Sequence, residues 1–222
     1  LPLGEVVAYG RAEADLARPD TLRALIREVA PSVVVNAAAY TAVDRAESEA
    51  AVAEAVNATA PGIIAEEAER LGAWLVHYST DYVFDGAASR PYREDDGTGP
   101  LNVYGTTKLA GERAIRAAGG RHLILRTSWV SVVDDQFGAP TGADLIADVT
   151  AHTLRATLTD PSLGGLYHLC AHGSTDWFTY ARFVLTEAIA LGIPLSAGPD
   201  AVARVPTRPQ PGRAARPARG NL

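Results

Sequence analysis

Tyr104 and Lys108 are the residues whose types and spacing most directly indicate chemistry. They lie four positions apart in the segment PLNVYGTTKLAGE, residues 100–112. Residues i and i+4 share one face of a helix, so the phenol and the ammonium are predicted to point into the same space. An ammonium near a phenol stabilises the phenolate and lowers the pKa of the tyrosine. The pair therefore predicts a proton donor that works near neutral pH.

A hydroxyl group is expected beside this pair, at the end of a neighbouring strand. The segment AWLVHYST, residues 73–80, is an apolar run typical of a buried strand, and it ends in Ser79 and Thr80. Such a hydroxyl can hold a carbonyl oxygen while the tyrosine protonates it and a hydride arrives at the carbon. The YxxxK spacing alone arises often by chance, whereas YxxxK after a hydroxyl-ended strand favours this chemistry.

The elements that must position these side chains alternate along the chain. Apolar segments predict strands at residues 6–9, 31–39, 73–80, 122–130 and 164–169, and Ala-, Leu- and Glu-rich segments predict helices at residues 21–30, 46–60, 61–72, 103–120, 142–158 and 176–192. Strands that are apolar throughout predict an α/β fold with a Rossmann-like, doubly wound parallel sheet. Ligands of such a sheet bind beyond the carboxyl ends of its strands. The expected site residues are therefore 10–11, 36–39, 79–81 and 127–129.

Polar residues and glycines mark the predicted helix boundaries. Asp20 and Thr141 are predicted N-caps, Thr59 before Pro61 indicates a helix start, and Gly72 and Gly192 indicate helix ends. The last third of the chain differs in character. Residues 1–130 are therefore predicted to form a dinucleotide-binding domain, and residues 131–222 mainly a small substrate-binding lobe with a basic, proline-rich tail.

The composition narrows the class of protein. The chain has 222 residues, of which 47% are hydrophobic, which is enough for one sizeable core. Its formal net charge of −6 argues against a nucleic-acid partner. A lone cysteine, Cys170, excludes an internal disulfide framework and is typical of a reducing compartment. The apolar runs are too short to cross a bilayer, so the sequence predicts a cytoplasmic protein without a membrane partner.

Several segments carry a resemblance to a known family. They are VVVNAAAYTAVDRAESE, HYSTDYVFDG, PLNVYGTTKLAGE, LRTSWV, DQFGAPTGADLIADVTAH, GGLYHL and VPTRPQP. With them the chain resembles the extended branch of the short-chain dehydrogenase/reductases that acts on nucleotide sugars, and within it the dTDP-4-dehydrorhamnose reductase family. The discriminating segment is STDYVFDG, because related epimerases and dehydratases carry Ser-Ser and Val-Tyr-Gly there.

The resemblance implies an activity and a set of site residues. The implied reaction is the NADPH-dependent reduction of the C4 carbonyl of dTDP-4-dehydro-6-deoxy-L-mannose to dTDP-L-rhamnose. The implied catalytic residues are Thr80, Tyr104 and Lys108, with Tyr104 as proton donor. The implied cofactor-binding residues are Arg11, Asp15, Leu16, Ala37, Ala38, Ala39, Tyr104 and Lys108, and the implied substrate-binding residues are Thr80, Asp81 and Trp129. A homodimer is also implied, in some members linked by a metal such as Mg²⁺.

Gly10 and Arg11 bear on the choice of cofactor. An acidic residue at the end of the second strand would hold the ribose hydroxyls of NAD. A small residue followed by arginine suits a 2′-phosphate instead, so the sequence favours NADPH over NADH. The alternative is that Arg11 is an exposed loop residue without this role.

The sequence departs from the family in three places. No glycine-rich turn for a cofactor pyrophosphate occurs in the chain, a helical segment after Ser131 is missing, and the C-terminal end is absent. The chain also contains no methionine. We therefore expect residues to be missing from this sequence, and we predict the activity for the intact parent chain. The alternatives are a nucleotide-sugar epimerase or dehydratase, or a non-catalytic regulatory subunit with the same fold.

The remaining polar residues carry weaker expectations. Five arginines near the C-terminus predict either a disordered basic tail or a strap that reaches an anionic ligand; they are Arg204, Arg208, Arg213, Arg216 and Arg219. His168 and His172 lack the spacing of a helical metal pair, and no metal ligands are predicted. His77 is expected to be a buried core histidine, residues 94–96 a solvated loop, and Cys170 unreactive.

Overall fold

The secondary structure follows the alternation that the sequence predicts. The computed structural model describes residues 3–128, 136–205, 214–220 and 222. Within this part of the chain the helices are α1 (Pro19–Val29), α2 (Val43–Ala46), α3 (Ala50–Glu54), α4 (Ala60–Leu71), α5 (Val103–Ala118), α6 (Ala143–Thr159) and α7 (Trp177–Ala190). The strands are β1 (Val33–Asn36), β2 (Trp74–Thr80), β3 (His122–Thr127), β4 (Phe137–Gly138), β5 (Gly165–His168), β6 (Thr175–Asp176) and β7 (Arg219–Gly220).

Four strands form a parallel sheet in the order β1-β2-β3-β5. In its register Asn36 lies beside His77, Thr80 beside Thr127, and Arg126 beside His168. The carboxyl ends of β1, β2 and β3 therefore meet at one edge, where the expected site residues 36–39, 79–81 and 127–128 follow the strands. Because β5 comes from the second predicted region, the chain returns to the sheet after residue 131.

Helices cover both faces of this sheet. On one face Leu75 and Ile124 pack against Ile26 of α1, Ile64 of α4 and Ile115 of α5. On the other face the adjacent strand residues pack against α6; they are Trp74, Val76, Leu123 and Leu125, with Leu154 as the buried residue of the helix. Side chains alternate between the faces of a strand, so β1, β2 and β3 each contribute to both cores. This arrangement confirms the predicted α/β fold with a parallel sheet.

The predicted strand at residues 6–9 is not present. Residues 5–10 have no regular secondary structure, and Val6 is 84% exposed. A strand needs a partner for its backbone hydrogen bonds, and within the described residues the sheet ends at β1. The apolar run alone was therefore not sufficient for the prediction.

Residues 50–71 form one continuous helical segment instead of two helices. α3 passes into α4 through a π-helical turn at Ala55–Thr59, and Pro61 lies in the first turn of α4. The wider turn accommodates a proline, which has no N–H for the helical ladder. Asn57 in this turn receives the N–H of Tyr40 at 2.9 Å and donates to the carbonyl of Tyr40 at 3.0 Å. The turn thus fixes the segment that follows β1.

The predicted helix ends are confirmed in part. Gly72 ends α4 with a φ of 65°, and Gly192 follows α7 with a φ of 74°. Two predicted N-caps are wrong. The N-cap of α1 is Arg18, with Asp20 in the first helical turn, and the N-cap of α6 is Gly142. The hydroxyl of Thr141 instead receives the N–H of Ala171 at 2.9 Å and so joins two loops.

The C-terminal residues pack against the α/β core. Strand β4 pairs with β6 and with β7 in a small second sheet. Asn102 donates to the carbonyl of Ala215 at 2.6 Å, and Arg216 forms an ion pair with Asp44 at 3.0 Å. Residues 214–217 are therefore docked and do not form a free basic tail. Arg208 and Arg213 lie outside the described residues, as does the predicted boundary at 130–131.

None of the helices in the described part of the chain combines the length and the apolar composition that a transmembrane span requires.

Candidate active site

A hydrogen-bonded cluster at the carboxyl edge of the sheet brings Thr80, Asp81 and Tyr104 together. The Thr80 hydroxyl donates to Oδ1 of Asp81 at 3.0 Å, and the Tyr104 hydroxyl is hydrogen-bonded to the side chain of Thr80. Ser128, directly after β3, donates to Oδ2 of Asp81 at 3.0 Å. The structure thus joins the predicted proton donor to the predicted strand-end hydroxyl.

The charge states of this cluster follow from burial. Asp81 is 2% exposed, and burial raises the pKa of its carboxyl to about 7 against the hydrogen bonds from Ser128 and Thr80. Burial also raises the pKa of the Tyr104 phenol, although the hydrogen bond with Thr80 acts in the opposite direction. The predicted lowering of the pKa of Tyr104 is therefore not found. A phenol that keeps its proton at neutral pH can still serve as a proton donor.

Lys108 lies one helical turn after Tyr104 on α5, as the spacing predicts. Its ammonium does not remain free for the phenol, because its Nζ is 2.6 Å from the carbonyl oxygen of Tyr78 and 3.2 Å from Nε2 of His77. Burial lowers the pKa of Lys108 to about 8, against the attraction of the Glu112 carboxylate. The lysine is anchored to β2, and its charge is sensitive to pH near neutrality.

Helix α5 is held close to the sheet at its beginning. The Oδ1 of its N-cap Asn102 receives the N–H of Gly105 at 2.7 Å. A Cβ at Gly105 would lie 2.2 Å from the carbonyl oxygen of Tyr82, and a Cβ at Gly111 would lie 2.1 Å from that of Asn57. Only glycine fits at these two positions, so α5 approaches the backbone closely enough for Tyr104 and Lys108 to reach the strand ends.

A buried ion pair supports the same helix. Arg126 of β3 makes two parallel hydrogen bonds with Glu112, of 2.9 and 2.6 Å, and Ser79 donates to Glu112 at 2.5 Å. Both charged residues are at most 3% exposed. This pair was not predicted from the sequence, although Glu112 follows Lys108 by four residues and so lies on the same face of α5.

The expected cofactor-binding residues fall into two groups. Ala37 and Ala38 are exposed directly after β1, and Ala39 is half-buried. Arg11 and Asp15 line a surface cleft of about 470 Å³, and their charged groups are 3.9 Å apart.

The side chain of Leu16 differs from the others, because it packs against the core between α1 and α4. Arg18 also lines the cleft, as does the acidic Glu13. Small side chains at the strand end and two arginines at the cleft are compatible with a phosphate-bearing dinucleotide.

Comparisons with known proteins assign the chain to a family. The family model described as "RmlD substrate binding domain" matches residues 2–131 and 130–222. The chain belongs to this RmlD family. The two ranges of the chain that match the family model overlap at residues 130–131. A helical segment is predicted to be missing directly after this point.

Two curated relatives carry the name dTDP-4-dehydrorhamnose reductase. The one from Escherichia coli K12 is 44% identical, and the one from Salmonella typhimurium LT2 is 46% identical, each over 100% of this chain and 82% of the relative. Both alignments extend over 247 residues, so within the aligned region each relative has about 25 residues without a counterpart in this 222-residue chain. The relatives resemble the chain over nearly its whole length.

A solved structure agrees with this assignment. The dTDP-4-dehydrorhamnose reductase of Bacillus anthracis str. Ames, in complex with NADP, is 29% identical to the chain and superimposes with a TM-score of 0.81. The likeness covers 96% of this chain and 79% of that one. The expected membership in the dTDP-4-dehydrorhamnose reductase family is thereby confirmed.

Three further expectations for this RmlD family member concern Trp129, Cys170 and a metal site. Trp129, expected at the substrate, lies outside the described residues. Burial raises the pKa of Cys170, in line with its expected low reactivity. Within the described ranges, no group of three or more His, Cys, Asp or Glu side chains could hold a metal ion.

His77 and residues 94–96 have more specific roles than the sequence suggested. His77 is buried, as expected, but it contacts Lys108. Glu94 accepts the N–H of His168 at 3.0 Å, and Asp96 pairs with Arg90 at 2.7 Å. The segment is therefore tied to β5 and to its own loop through specific contacts, which the charge pattern alone did not indicate.

Proposed function

We propose that the protein is an enzyme that uses NADPH to reduce the C4 carbonyl of dTDP-4-dehydro-6-deoxy-L-mannose to dTDP-L-rhamnose. The observation that carries this proposal is the hydrogen bond between Tyr104 and Thr80 at the end of β2, with Lys108 one turn further along α5. The names of the curated relatives support the substrate class, and the NADP complex of the Bacillus anthracis protein supports the cofactor class.

Tyr104 acts as the proton donor in this mechanism. The side chain of Thr80 is hydrogen-bonded to Asp81 and to the phenol of Tyr104, and so holds the phenol at the strand ends. The phenol proton passes to the carbonyl oxygen of the substrate, which becomes the hydroxyl of the product. When bound, the reduced nicotinamide supplies the hydride to the carbonyl carbon. Lys108 lies on the same face of α5 and would hold the ribose of the cofactor.

Ala37, Ala38 and Ala39 would lie along the cofactor, because small side chains after β1 let it approach the backbone. Arg11 and Asp15 would bind its adenosine portion, together with the backbone of Leu16. NADPH is favoured over NADH because the guanidinium of Arg11 is 85% exposed and suits a 2′-phosphate. NADH remains the second candidate cofactor.

The substrate and assembly predictions complete the proposal. Asp81 and Trp129 are proposed to bind the deoxysugar nucleotide, with Asp81 acting through Thr80 and Ser128, since its own carboxyl is buried. A homodimer, an Mg²⁺ requirement and a cytoplasmic location stay predictions. The division into a cofactor-binding region and a substrate-binding lobe also stays a prediction.

Replacement of Tyr104 by phenylalanine tests the function. NADPH absorbance is followed with dTDP-4-dehydro-6-deoxy-L-mannose as substrate, and Tyr104→Phe should lose about 10²–10⁴-fold in kcat because the proton donor is gone. Tyr167→Phe is the matched control, since its exposed hydroxyl contacts only the carbonyl of Leu163 among the contacts described. An unchanged kcat for Tyr104→Phe, or no NADPH consumption by the unsubstituted protein, would overturn the proposal. A regulatory subunit would show the second result.

A further inference from the structure

His77 forms a hydrogen-bonded chain from β1 to the lysine of the proposed site. Its Nδ1 lies 3.1 Å from Nδ2 of Asn36, its cross-strand neighbour, and its Nε2 lies 3.2 Å from Nζ of Lys108. All three residues are buried, with exposures of 1% for His77, 6% for Asn36 and 2% for Lys108. Each polar atom in this chain must therefore find its partner within the protein.

The orientation of the Asn36 amide fixes the donor-to-acceptor direction of the hydrogen bonds from Asn36 through His77 to Lys108. The N–H of Ala38 donates to Oδ1 of Asn36 at 3.3 Å. A backbone N–H can only donate, so the oxygen faces Ala38 and the NH₂ group faces His77. Nδ1 of His77 must then accept this hydrogen bond. A neutral imidazole with a bare Nδ1 carries its hydrogen on Nε2, and this hydrogen points at Lys108.

The ring of His77 stays neutral in this environment. Burial alone lowers the pKa of His77 well below its usual value, whatever the charge of Lys108. An N–H at Nε2 needs an acceptor, and Lys108 provides one only as a free amine with a lone pair. In that form the amine also donates to the carbonyl oxygen of Tyr78. Every hydrogen bond from Asn36 through His77 to Lys108 is then satisfied.

Protonation of Lys108 breaks this pattern. The ammonium has three donors and no acceptor, so it would face the Nε2–H of His77 donor to donor. A shift of the ring hydrogen to Nδ1 would bring the same conflict to Asn36. One hydrogen bond is lost in either case, which favours the amine beyond the effect of burial alone.

We propose that His77 is a positioning residue that favours the free-amine form of Lys108, through a ring tautomer fixed by Asn36. This inference rests on the proposed function, in which Lys108 binds the cofactor beside Tyr104. The charge at Lys108 is then not permanent. It forms at the expense of a buried hydrogen bond and can respond to what occupies the site.

The surrounding charges do not reverse this preference. On α5, the Glu112 carboxylate raises the pKa of Lys108, but Arg126 of β3 and Ser79 of β2 already bind that carboxylate. Tyr104, also on α5, keeps its proton and is neutral. Strand β1 carries no titratable side chain. The contact with His77 therefore adds to burial, and among the described residues the Glu112 carboxylate and the carbonyl oxygen of Tyr78 oppose both.

The test uses the fact that Lys108 is the single lysine of the sequence. Protein labelled with ¹³C and ¹⁵N in lysine gives one side-chain signal, which is titrated without cofactor or substrate. The pKa of Lys108 is expected at about 8 or below. In His77→Gln, whose amide oxygen can accept from an ammonium at the position of Nε2, this pKa should rise by about one unit or more.

Two further variants separate tautomer control from a general structural role. Asn36→Ser keeps His77 but offers it a hydroxyl that both donates and accepts, so either tautomer is allowed and the pKa of Lys108 should rise again. His122→Gln is the control, because His122 lies at the opposite end of the sheet, beside Leu75. It should leave the pKa unchanged. Thermal unfolding of each variant shows that it is folded.

The nitrogen signals of the ring give an independent result. Five histidines are present, so the His77 signals are assigned by their loss in His77→Gln. A bare Nδ1 and a protonated Nε2 in long-range ¹H–¹⁵N spectra support the proposal. The opposite tautomer, or an unchanged pKa of Lys108 in both His77→Gln and Asn36→Ser, would overturn it.

The outcome is independent of whether the proposed reaction is observed. Without NADPH consumption by the unsubstituted protein, the proposed function fails and the titration still reports on Lys108. With activity present, the pH profile of kcat in His77→Gln should move to higher pH together with the pKa. If His77→Gln is active and its pH profile of kcat matches that of the unsubstituted protein, the role proposed for His77 is wrong and the proposed function stands.

Discussion

Replacement of Asp81 by asparagine should make the protein more stable at neutral and alkaline pH. Burial raises the pKa of the Asp81 carboxyl from 3.8 to about 7. Below pH 3.8 the carboxyl is protonated in the folded and in the unfolded chain, so its ionisation has no effect there. Between pH 3.8 and about 7 the unfolded chain ionises while the folded chain keeps the proton, and stability falls as the pH rises. Above that range the loss is constant.

The structure sets the size of this effect. At about 1.4 kcal/mol for each unit of pKa, the rise from 3.8 to about 7 corresponds to about 4 kcal/mol of lost stability at alkaline pH. Asparagine cannot ionise and can keep both hydrogen bonds, receiving one from Thr80 and donating the other to Ser128. Asp81→Asn should therefore match the unsubstituted protein near pH 4 and exceed it by about 4 kcal/mol above about pH 8.

Urea unfolding across this pH range measures the difference directly. When the free energy of unfolding is plotted against pH for each protein, subtraction of the unsubstituted curve from the Asp81→Asn curve removes the contributions of all other titrating groups. Asp85→Asn is the control, because the hydrogen bond from Tyr92 lowers the pKa of Asp85 and its difference from the unsubstituted protein should be flat above about pH 5. A flat difference for Asp81→Asn as well would refute the reasoning, since Asp81 would then be ionised in the folded protein at no cost.

Two further predictions concern the attachment of α5. Gly111→Ala should lower the free energy of unfolding in a urea titration by about 1–3 kcal/mol, because its Cβ would lie 2.1 Å from the carbonyl oxygen of Asn57. Gly97→Ala is the control and should have little effect, because a Cβ there would have no atom within 4 Å. Glu112→Gln should cost about 3–5 kcal/mol in thermal or urea unfolding, because it leaves the buried guanidinium of Arg126 without its counter-ion. The double variant with Arg126→Met should recover part of this loss, and a double variant as unstable as Glu112→Gln would contradict the explanation.

The sequence was informative where the signal is local and repeated. The spacing of Tyr104 and Lys108 predicts their common helical face, and the apolar strands predict the parallel sheet, because periodicity reports burial directly. The hydroxyl at the end of β2 was also predicted, since parallel strands bring their carboxyl ends together. The proposed catalytic residues were therefore recognisable before their geometry was known.

The expectations that failed depend on partners elsewhere in the chain. Residues 6–9 have a strand-like composition, but a strand forms only beside another strand. The predicted low pKa of Tyr104 assumed that Lys108 faces the phenol, whereas its Nζ is bound by Tyr78 and His77. The ion pair of Glu112 and Arg126 joins a helix to a strand, and no spacing rule connects those positions. Such contacts are set by packing, which a one-dimensional pattern does not contain.

The alternation along β2 has a consequence for how this gene can change in length. Side chains of β2 alternate between the two faces of the sheet, so Ser79 reaches Glu112 of α5 while Tyr78 reaches Thr150 of α6. Insertion or deletion of a single codon within residues 74–80 would exchange the two faces for every residue beyond it. Surviving length variants should therefore be confined to the loops around the strand, while the strand itself keeps a constant number of residues.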